Sequence, residues 1–224
     1  MKQHPIDLVN KQGLRFFGSV NASISHELKN IFAIISETAG FLNDLTQLSK
    51  QGKPFDLSLL ENCSNSIAEE IERGFDTIRR MNQFAHSVDD PFRETSVSET
   101  LTLAVKLTCF LSFAKKTHLE ESARDARVFT SPFLLQTLVY RTLIALYRAM
   151  DNKDELTPAF RDPDHSGVTL VFSHRLAAGL KDFPDPRTTE VAEALQAAFK
   201  VTDTGLELTV PRSNDALAAA LAGG

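Results

Sequence analysis

The sequence lacks the features that mark several large classes of protein. Only two of its 224 residues are cysteines, Cys63 and Cys109, and they lie far apart in apolar patterns of helical type. Neither a disulfide framework nor a zinc site follows from them, so a reducing compartment is expected. The formal charge of -5 leaves no basic footprint, and nucleic acid is therefore not an expected partner.

Long apolar runs are missing as well. The N-terminus, Met1-Lys2-Gln3-His4-Pro5, has no apolar signal core. No window approaches the ~18 consecutive apolar residues that a membrane-spanning helix needs. We therefore expect a cytoplasmic protein that makes no contact with a membrane and is not itself a membrane receptor.

The N-terminal part of the chain has the periodicity of two long helices, which together cover about residues 6–88. The stretch Ser49-Lys50-Gln51-Gly52-Lys53-Pro54 separates them as a helix stop and restart. Each helix carries a heptad seam. The seam of the first helix consists of Phe17, Ile24, Ile31, Thr38 and Leu45 at position d, with Asn21, Leu28, Ile35 and Leu42 at position a. The seam of the second helix consists of Leu60, Ile67, Ile71, Ile78 and Met81, widened by Phe75, Phe84 and Val88.

Two antiparallel helices offer too little surface to bury both seams. Pairing with a second copy would complete a four-helix bundle, so a homodimer is predicted. The alternative is that the seams pack on the C-terminal part of the same chain. The break at Ser87-Val88-Asp89-Asp90-Pro91 predicts a helical domain over residues 1–90 and a second domain over residues 91–224.

The second domain mixes predicted helices and strands, which makes the expected fold class α+β. The predicted helices are Ser98–Lys116, Pro132–Met150 and Thr188–Lys200, and the predicted strands are Arg127–Thr130, Gly167–His174 and Leu206–Val210. The small-residue tail Ala216–Gly224 is expected to fray.

His26 is the residue that the heptad phasing singles out. It falls at position f, on the outer face of the first helix, and Asn30 shares that face one turn later, while Glu27 lies at g on the flank. An exposed imidazole is partly deprotonated and nucleophilic near neutral pH. Taken alone, this placement favours a solvated histidine without a role. The other histidines, which have no comparable surroundings, are His4, His86, His118, His165 and His174.

The surrounding sequence changes that interpretation. Ser25-His26-Glu27-Leu28-Lys29-Asn30, followed by Ile31-Phe32-Ala33-Ile34-Ile35, resembles the phosphoacceptor box of two-component sensor histidine kinases. The resemblance implies that His26 accepts and donates a phosphoryl group. It implies that Glu27 orients the imidazole or relays its proton, and that Asn30 positions a water during dephosphorylation of a partner. Ile31 stands where the family often has proline, so the usual helix kink is not expected.

The ATP-binding half of that family is only partly represented. The stretch from Ser131 to Ala145 resembles the helix whose paired asparagines hold magnesium and phosphates, but Arg141 and Ala145 occupy the two asparagine positions. Neither side chain offers a neutral oxygen ligand. Asp203-Thr204-Gly205-Leu206-Glu207 resembles half of an Asp-x-Gly-x-Gly box and is better interpreted as a tight turn that opens the last strand. The resemblance therefore implies a reduced α/β-sandwich ATPase-like domain without its ATP site.

This combination is similar to the dimeric histidine phosphotransferases of phosphorelays. It predicts a phosphotransferase that relays phosphoryl groups between His26 and receiver-domain aspartates, without ATP-dependent kinase activity. The expected partners are a second copy of the chain and response-regulator receiver domains. No cofactor is expected on this chain, and Mg²⁺ is expected in the receiver. Two alternatives stay open: a divergent sensor histidine kinase, and a non-catalytic dimeric adaptor or phosphatase that acts on a response regulator.

Overall fold

The structure is a computed structural model, and it describes residues 5–54, 56–108, 116–120, 126–151, 154–162, 167–173, 180 and 182–214. The helices of these ranges are α1 (Pro5–Lys50), α2 (Ser58–Ala85), α3 (Val97–Thr108), α4 (Pro132–Ala149) and α5 (Pro186–Ala194), with a 3₁₀ turn at His86–Val88. The strands are β1 (Arg93–Ser96), β2 (Lys116–Thr117), β3 (Arg127–Thr130), β4 (Glu155–Arg161), β5 (Gly167–Ser173), β6 (Ala198–Thr202) and β7 (Gly205–Pro211). The predicted α+β class is thus confirmed.

The chain divides into two compact units. Residues 19–82 form a helical hairpin, and the described residues before 19 and after 82 form the second unit. The sequence pattern put the boundary near residue 90, whereas this division counts the first turns of α1 and the last turn of α2 with the mixed unit. Within the described ranges, no helix is both long enough and apolar enough to cross a lipid bilayer.

The break between α1 and α2 follows the predicted stop signal. The amide of Lys53 donates to the carbonyl of Leu48 (3.1 Å), and the amide of Gly52 donates to Ser49 (2.9 Å). Gly52 has a positive φ of 67°, which a residue with a side chain adopts only with strain. The glycine therefore ends α1, and the chain reverses into α2.

The two seams of the hairpin differ in burial. On α1, Ile24, Ile31 and Leu45 are buried, as the heptad phasing predicts. On α2, Ile71 remains 44% exposed and Ile78 remains 40% exposed. A single copy of the chain therefore leaves the α2 seam largely open to water.

The mixed unit is built on a five-stranded sheet with the order β2-β4-β5-β7-β6. Only β2, which pairs with β4, is parallel to its neighbour, and the other pairings are antiparallel. A separate antiparallel pair joins β1 to β3. Helix α3 packs on α4, and α4 also contacts α5.

Helix α4 supplies much of the core of this unit. Leu135, Leu138, Val139 and Leu143 are fully buried. Pro132 starts the helix at its first position, as predicted, but the hydroxyl of Ser131 makes no capping hydrogen bond. A helix that is apolar on most of its faces has to lie inside the fold rather than on its surface.

An aromatic cluster explains why the outer ends of α1 and α2 belong to the mixed unit. The Phe16 ring lies 5.1 Å from that of Phe84, 5.7 Å from that of Phe133 and 4.9 Å from that of Tyr140, measured between centroids. The pairs with Phe84 and Tyr140 are edge-to-face, and such a pair contributes about 1 kcal/mol beyond the burial of its apolar area. For Phe84, the alternative in which the seam packs on the same chain is therefore correct.

Two predicted helices end earlier than expected. Instead of running from Thr188 to Lys200, α5 ends at Ala194, because Gln196 takes a positive φ of 54° and the amide of Ala197 closes on Ala192 (2.8 Å). Residues 198–202 then form β6, an edge strand that pairs with β7. The helix expected up to Lys116 is described only as far as Thr108, and Lys116 itself begins β2.

Four strands, β1, β2, β4 and β6, have no counterpart in the sequence-based prediction. The other strands, β3, β5 and β7, match the predicted ones to within one residue at either end. Several positions that the prediction involved lie outside the described residues: His4, Cys109, His165, His174 and the tail from Ala216 to Gly224.

Candidate functional site

His26 lies near the middle of α1, within the helical hairpin, and its side chain is exposed. The amide nitrogen Nδ2 of Asn30 lies 3.3 Å from Nδ1 of the imidazole. A spacing of four residues on a continuous helix brings the two side chains together on one face. The structure therefore places His26 and Asn30 as the heptad phasing predicts.

Glu27, the second residue of the box, is bound by a residue that the sequence interpretation missed. Its carboxylate accepts hydrogen bonds from Nη2 of Arg73 (2.7 Å) and from Nε of Arg73 (3.1 Å), across the hairpin from α2. Arg73 also donates to both carboxylate oxygens of Glu70 at 3.1 Å. The basic residue lies 46 positions downstream of Glu27, so only the register of the two helices could have revealed the pair.

The ion pair with Glu27 keeps the Arg73 guanidinium protonated. The hydrogen bond to Glu27 raises the pKa of Arg73 and outweighs partial burial, which alone would lower it. The Glu27 side chain is only 18% exposed, so it has little room to turn elsewhere while Arg73 holds it. A role for Glu27 in orienting the imidazole or relaying its proton requires its release from this guanidinium.

In the mixed unit, Arg141 is engaged by the start of α5. Its Nη2 donates to the two carboxylate oxygens of Asp185 at 2.9 and 2.8 Å, and its Nε donates to the hydroxyl of Thr188 at 2.9 Å. Asp185 also caps α5 by accepting from the amide of Thr188 (2.8 Å). The position that the resemblance assigns to a metal-binding asparagine thus holds a cation that is already paired with an acid.

The pKa of Asp185 reflects this network. Partial burial alone would raise it, but the amide hydrogen bond from Thr188 and the charge of Arg141 outweigh burial, so the pKa is lowered. The carboxylate therefore stays ionised at neutral pH. The capping sequence Asp185-Pro186-Arg187-Thr188 could have indicated a helix start, but not its pairing with Arg141.

Gly205 has the structural role that the sequence favoured. It opens β7 directly after the turn at Asp203 and Thr204, with a φ of 155°. A Cβ atom at this position would lie 2.1 Å from the carbonyl oxygen of Phe172 on β5. The glycine is needed for a close approach between neighbouring strands, which confirms the tight turn.

Within the described ranges, no group of three or more histidine, cysteine, aspartate or glutamate side chains is arranged to hold a metal ion. Cys63 is buried as a free thiol. Two groups of polar side chains remain as candidate sites: His26 with Asn30 and Glu27 on the hairpin, and Arg141 with Asp185 and Thr188 in the mixed unit.

Replacing Arg141 by alanine should destabilise the mixed unit. The substitution leaves Asp185 without its charged partner, and because the Asp185 side chain is 49% exposed we expect a loss of only about 1 kcal/mol in the free energy of unfolding. Urea denaturation followed by circular dichroism measures this loss. Arg148→Ala, an exposed position in the last turn of the same helix, is the matched control and should change stability by less than about 0.5 kcal/mol.

The lowered pKa of Asp185 predicts an acid-sensitive contribution to stability. A carboxylate whose pKa is lower in the folded state than in the unfolded chain stabilises the fold above its unfolded pKa of about 3.9. That contribution is lost as pH falls through the lower, folded-state pKa. Unfolding free energies measured from pH 7 to pH 3 should therefore fall more steeply for the wild type than for Asp185→Asn. Parallel curves would contradict the assignment.

The chain matches no protein-family profile and no characterised protein sequence. Solved structures that resemble it include the following three. The histidine kinase AdeS of Acinetobacter baumannii is 10% identical, with 84% of this chain and 98% of that chain covered and a TM-score of 0.45. A bacterial phosphotransferase is 14% identical, with coverages of 86% and 94% and a TM-score of 0.43.

The ATP-binding domain of PrrB from Mycobacterium tuberculosis is also 14% identical, with coverages of 56% and 100% and a TM-score of 0.41. These identities and TM-scores are too low to carry a function from one protein to another.

Proposed function

We propose that this chain is a cytoplasmic histidine phosphotransferase of two-component signalling, which relays phosphoryl groups between His26 and the aspartates of receiver domains. The observation that carries the proposal is the exposed imidazole of His26 at the centre of α1, with the Asn30 amide 3.3 Å from its Nδ1. The sequence around it resembles a phosphoacceptor box, and its exposure leaves the ring accessible to a docked partner domain.

In the forward step, a ring nitrogen of His26 attacks the phosphorus of an aspartyl phosphate in line with the bond that breaks. The N–P bond forms as the P–O bond to the aspartate breaks, and the electron pair of that bond leaves with the carboxylate. The receiver's Mg²⁺ supplies charge neutralisation. The reverse step, with a second receiver aspartate as nucleophile, returns His26 to its neutral form. The guanidinium of Arg73 on the flank of this face is already neutralised by the carboxylates of Glu27 and Glu70.

The state of Arg141 favours relay over ATP-dependent phosphorylation. A magnesium–phosphate site needs neutral or anionic oxygen ligands, and Arg141 places a guanidinium there instead, already bound to Asp185 and Thr188. The phosphoryl group on His26 would then come from another protein. Asn30 favours one additional activity: an amide beside the imidazole can position a water against a docked aspartyl phosphate, which would make the chain a phosphatase of its receiver.

We further propose that the working form is a homodimer. Three large apolar side chains on α2, Ile71, Phe75 and Ile78, are 40–56% exposed and lie on the predicted seam. Contiguous apolar stripes of this kind mark protein interfaces. A symmetric pairing of two hairpins into a four-helix bundle would cover them and leave position f, where His26 lies, on the outside.

The experiment that tests the function supplies the phosphoryl group from two sources. The purified full-length chain is incubated with labelled ATP and Mg²⁺, and separately with labelled phospho-receivers of its host, and acid-labile, base-stable label is followed on the chain. We expect label from a receiver and none from ATP. Label from ATP on His26 would make the protein a kinase, and absence of label from every receiver would reject the relay.

A further inference from the structure

The imidazole of His26 has one hydrogen-bonding neighbour within the described residues. Asn30 Nδ2 lies 3.3 Å from Nδ1, whereas no described residue hydrogen-bonds to Nε2. Nε2 is therefore the ring nitrogen that is free to meet a docked partner. For Nε2 to attack phosphorus it must carry a lone pair, and in a neutral imidazole this requires the proton to be on Nδ1.

The nitrogen that carries the proton depends on what Nδ1 faces. With the Asn30 amide nitrogen donating, Nδ1 accepts, and the proton is on Nε2, where it blocks attack. A half-turn of the amide exchanges two groups of nearly equal size and points the carbonyl oxygen Oδ1 at Nδ1. Nδ1 then carries the proton and donates to Oδ1, and the lone pair of Nε2 is available.

Glu27 is poorly placed to determine which ring nitrogen of His26 carries the proton. Its carboxylate is held across the hairpin by Arg73, with contacts of 2.7 and 3.1 Å. Asn30, in contrast, already lies beside the ring and has no charge that would repel an incoming phosphoryl group. An asparagine is also suited to the task because one side chain offers both a donor and an acceptor in the same place.

We propose that Asn30 is the positioning residue that selects which ring nitrogen of His26 carries the proton, and therefore when Nε2 can accept a phosphoryl group. The part that concerns phosphoryl transfer depends on the proposed function, but the choice of tautomer does not. As the N–P bond forms at Nε2, the ring becomes positively charged and keeps its Nδ1 proton, which continues to donate to Oδ1 of Asn30. That proton is lost to water from the phosphorylated ring and is taken up again at Nδ1 before the phosphoryl group leaves, so that His26 returns to a neutral imidazole.

The test measures the tautomer directly. The full-length protein is labelled with ¹⁵N in its histidine rings, and the ring nitrogens are recorded above the pH at which an ordinary imidazole becomes neutral. His26 is assigned by the loss of its signals in His26→Gln. His86 gives an internal reference, because its Nδ1 lies 2.6 Å from the Asp89 carboxylate, which can only accept and so favours the proton on Nδ1.

Three variants should differ in the tautomer ratio of His26. The ratio of the Nε2–H form to the Nδ1–H form of His26 should be about two to four times higher in the wild type than in Asn30→Ala. One exposed hydrogen bond is expected to shift the equilibrium by about that factor. In Asn30→Asp, the side chain can only accept, so the ratio should shift the other way and the shifts of His26 should approach those of His86. Glu27→Gln is the control and should leave the ratio at the wild-type value.

Equal ratios in the wild type and Asn30→Ala would overturn the inference. A shift in Glu27→Gln as large as that in Asn30→Ala would overturn it as well. Because no receiver is present, the result is independent of phosphoryl transfer. If the tautomer ratio changes as expected but the protein takes no label from any receiver, only the proposed function is rejected. If the protein takes label from a receiver but the ratio does not change in the Asn30 variants, only the role of Asn30 is rejected.

Discussion

Replacing His26 by glutamine should abolish phosphoryl transfer from a receiver to this chain. Glutamine keeps polarity and length but has no ring nitrogen that can form an N–P bond, so the reaction loses its acceptor atom. Removal of a nucleophile from a reaction that depends on it lowers the rate by many orders of magnitude. We expect a loss of at least about 1000-fold, down to the background of the assay.

The fold should be unaffected by this change. His26 is exposed, and substitutions at exposed positions away from caps and networks usually change stability by no more than about 0.5 kcal/mol. Thermal unfolding of the variant therefore separates lost chemistry from lost structure. His86→Gln removes a second exposed histidine and should transfer normally. Undiminished transfer in His26→Gln would show that another residue is the acceptor.

The second large effect is expected in the association of two chains. Ile78 is 40% exposed on α2, and in a symmetric bundle it would be buried once in each copy. Ile78→Asp removes about 1 kcal/mol of apolar burial per copy and adds a carboxylate at a position with no partner charge. We expect the dissociation constant of the dimer to rise at least about 100-fold, which corresponds to about 3 kcal/mol.

Sedimentation velocity over a range of concentrations measures this shift. Asn65→Asp adds the same charge on the same helix at an exposed position outside the seam, and it should leave the dimer intact. A wild-type chain that sediments as a monomer at all concentrations would reject the dimer. Equal weakening by the two variants would mean that added negative charge, and not loss of the seam, is responsible.

Much of the helical architecture followed from local signals. Periodic apolar positions predicted α1 and α2, the glycine and proline between them predicted the break, and Pro132 predicted the start of α4. These signals act within a few residues, so they can be read along the chain. The edge strand β6 was missed for the opposite reason: its pairing with β7 outweighs a local pattern that favoured continuation of α5.

In the candidate site, too, some features follow from local sequence and others only from tertiary packing. The sequence alone determined that His26 and Asn30 share the exposed face of one helix, because a spacing of four residues fixes that geometry in any α-helix. Only the tertiary structure decided that Glu27 is held by Arg73, and that Arg141 is paired with Asp185. Both ion pairs join residues more than 40 positions apart, and their existence depends on how helices pack rather than on any pattern within one helix.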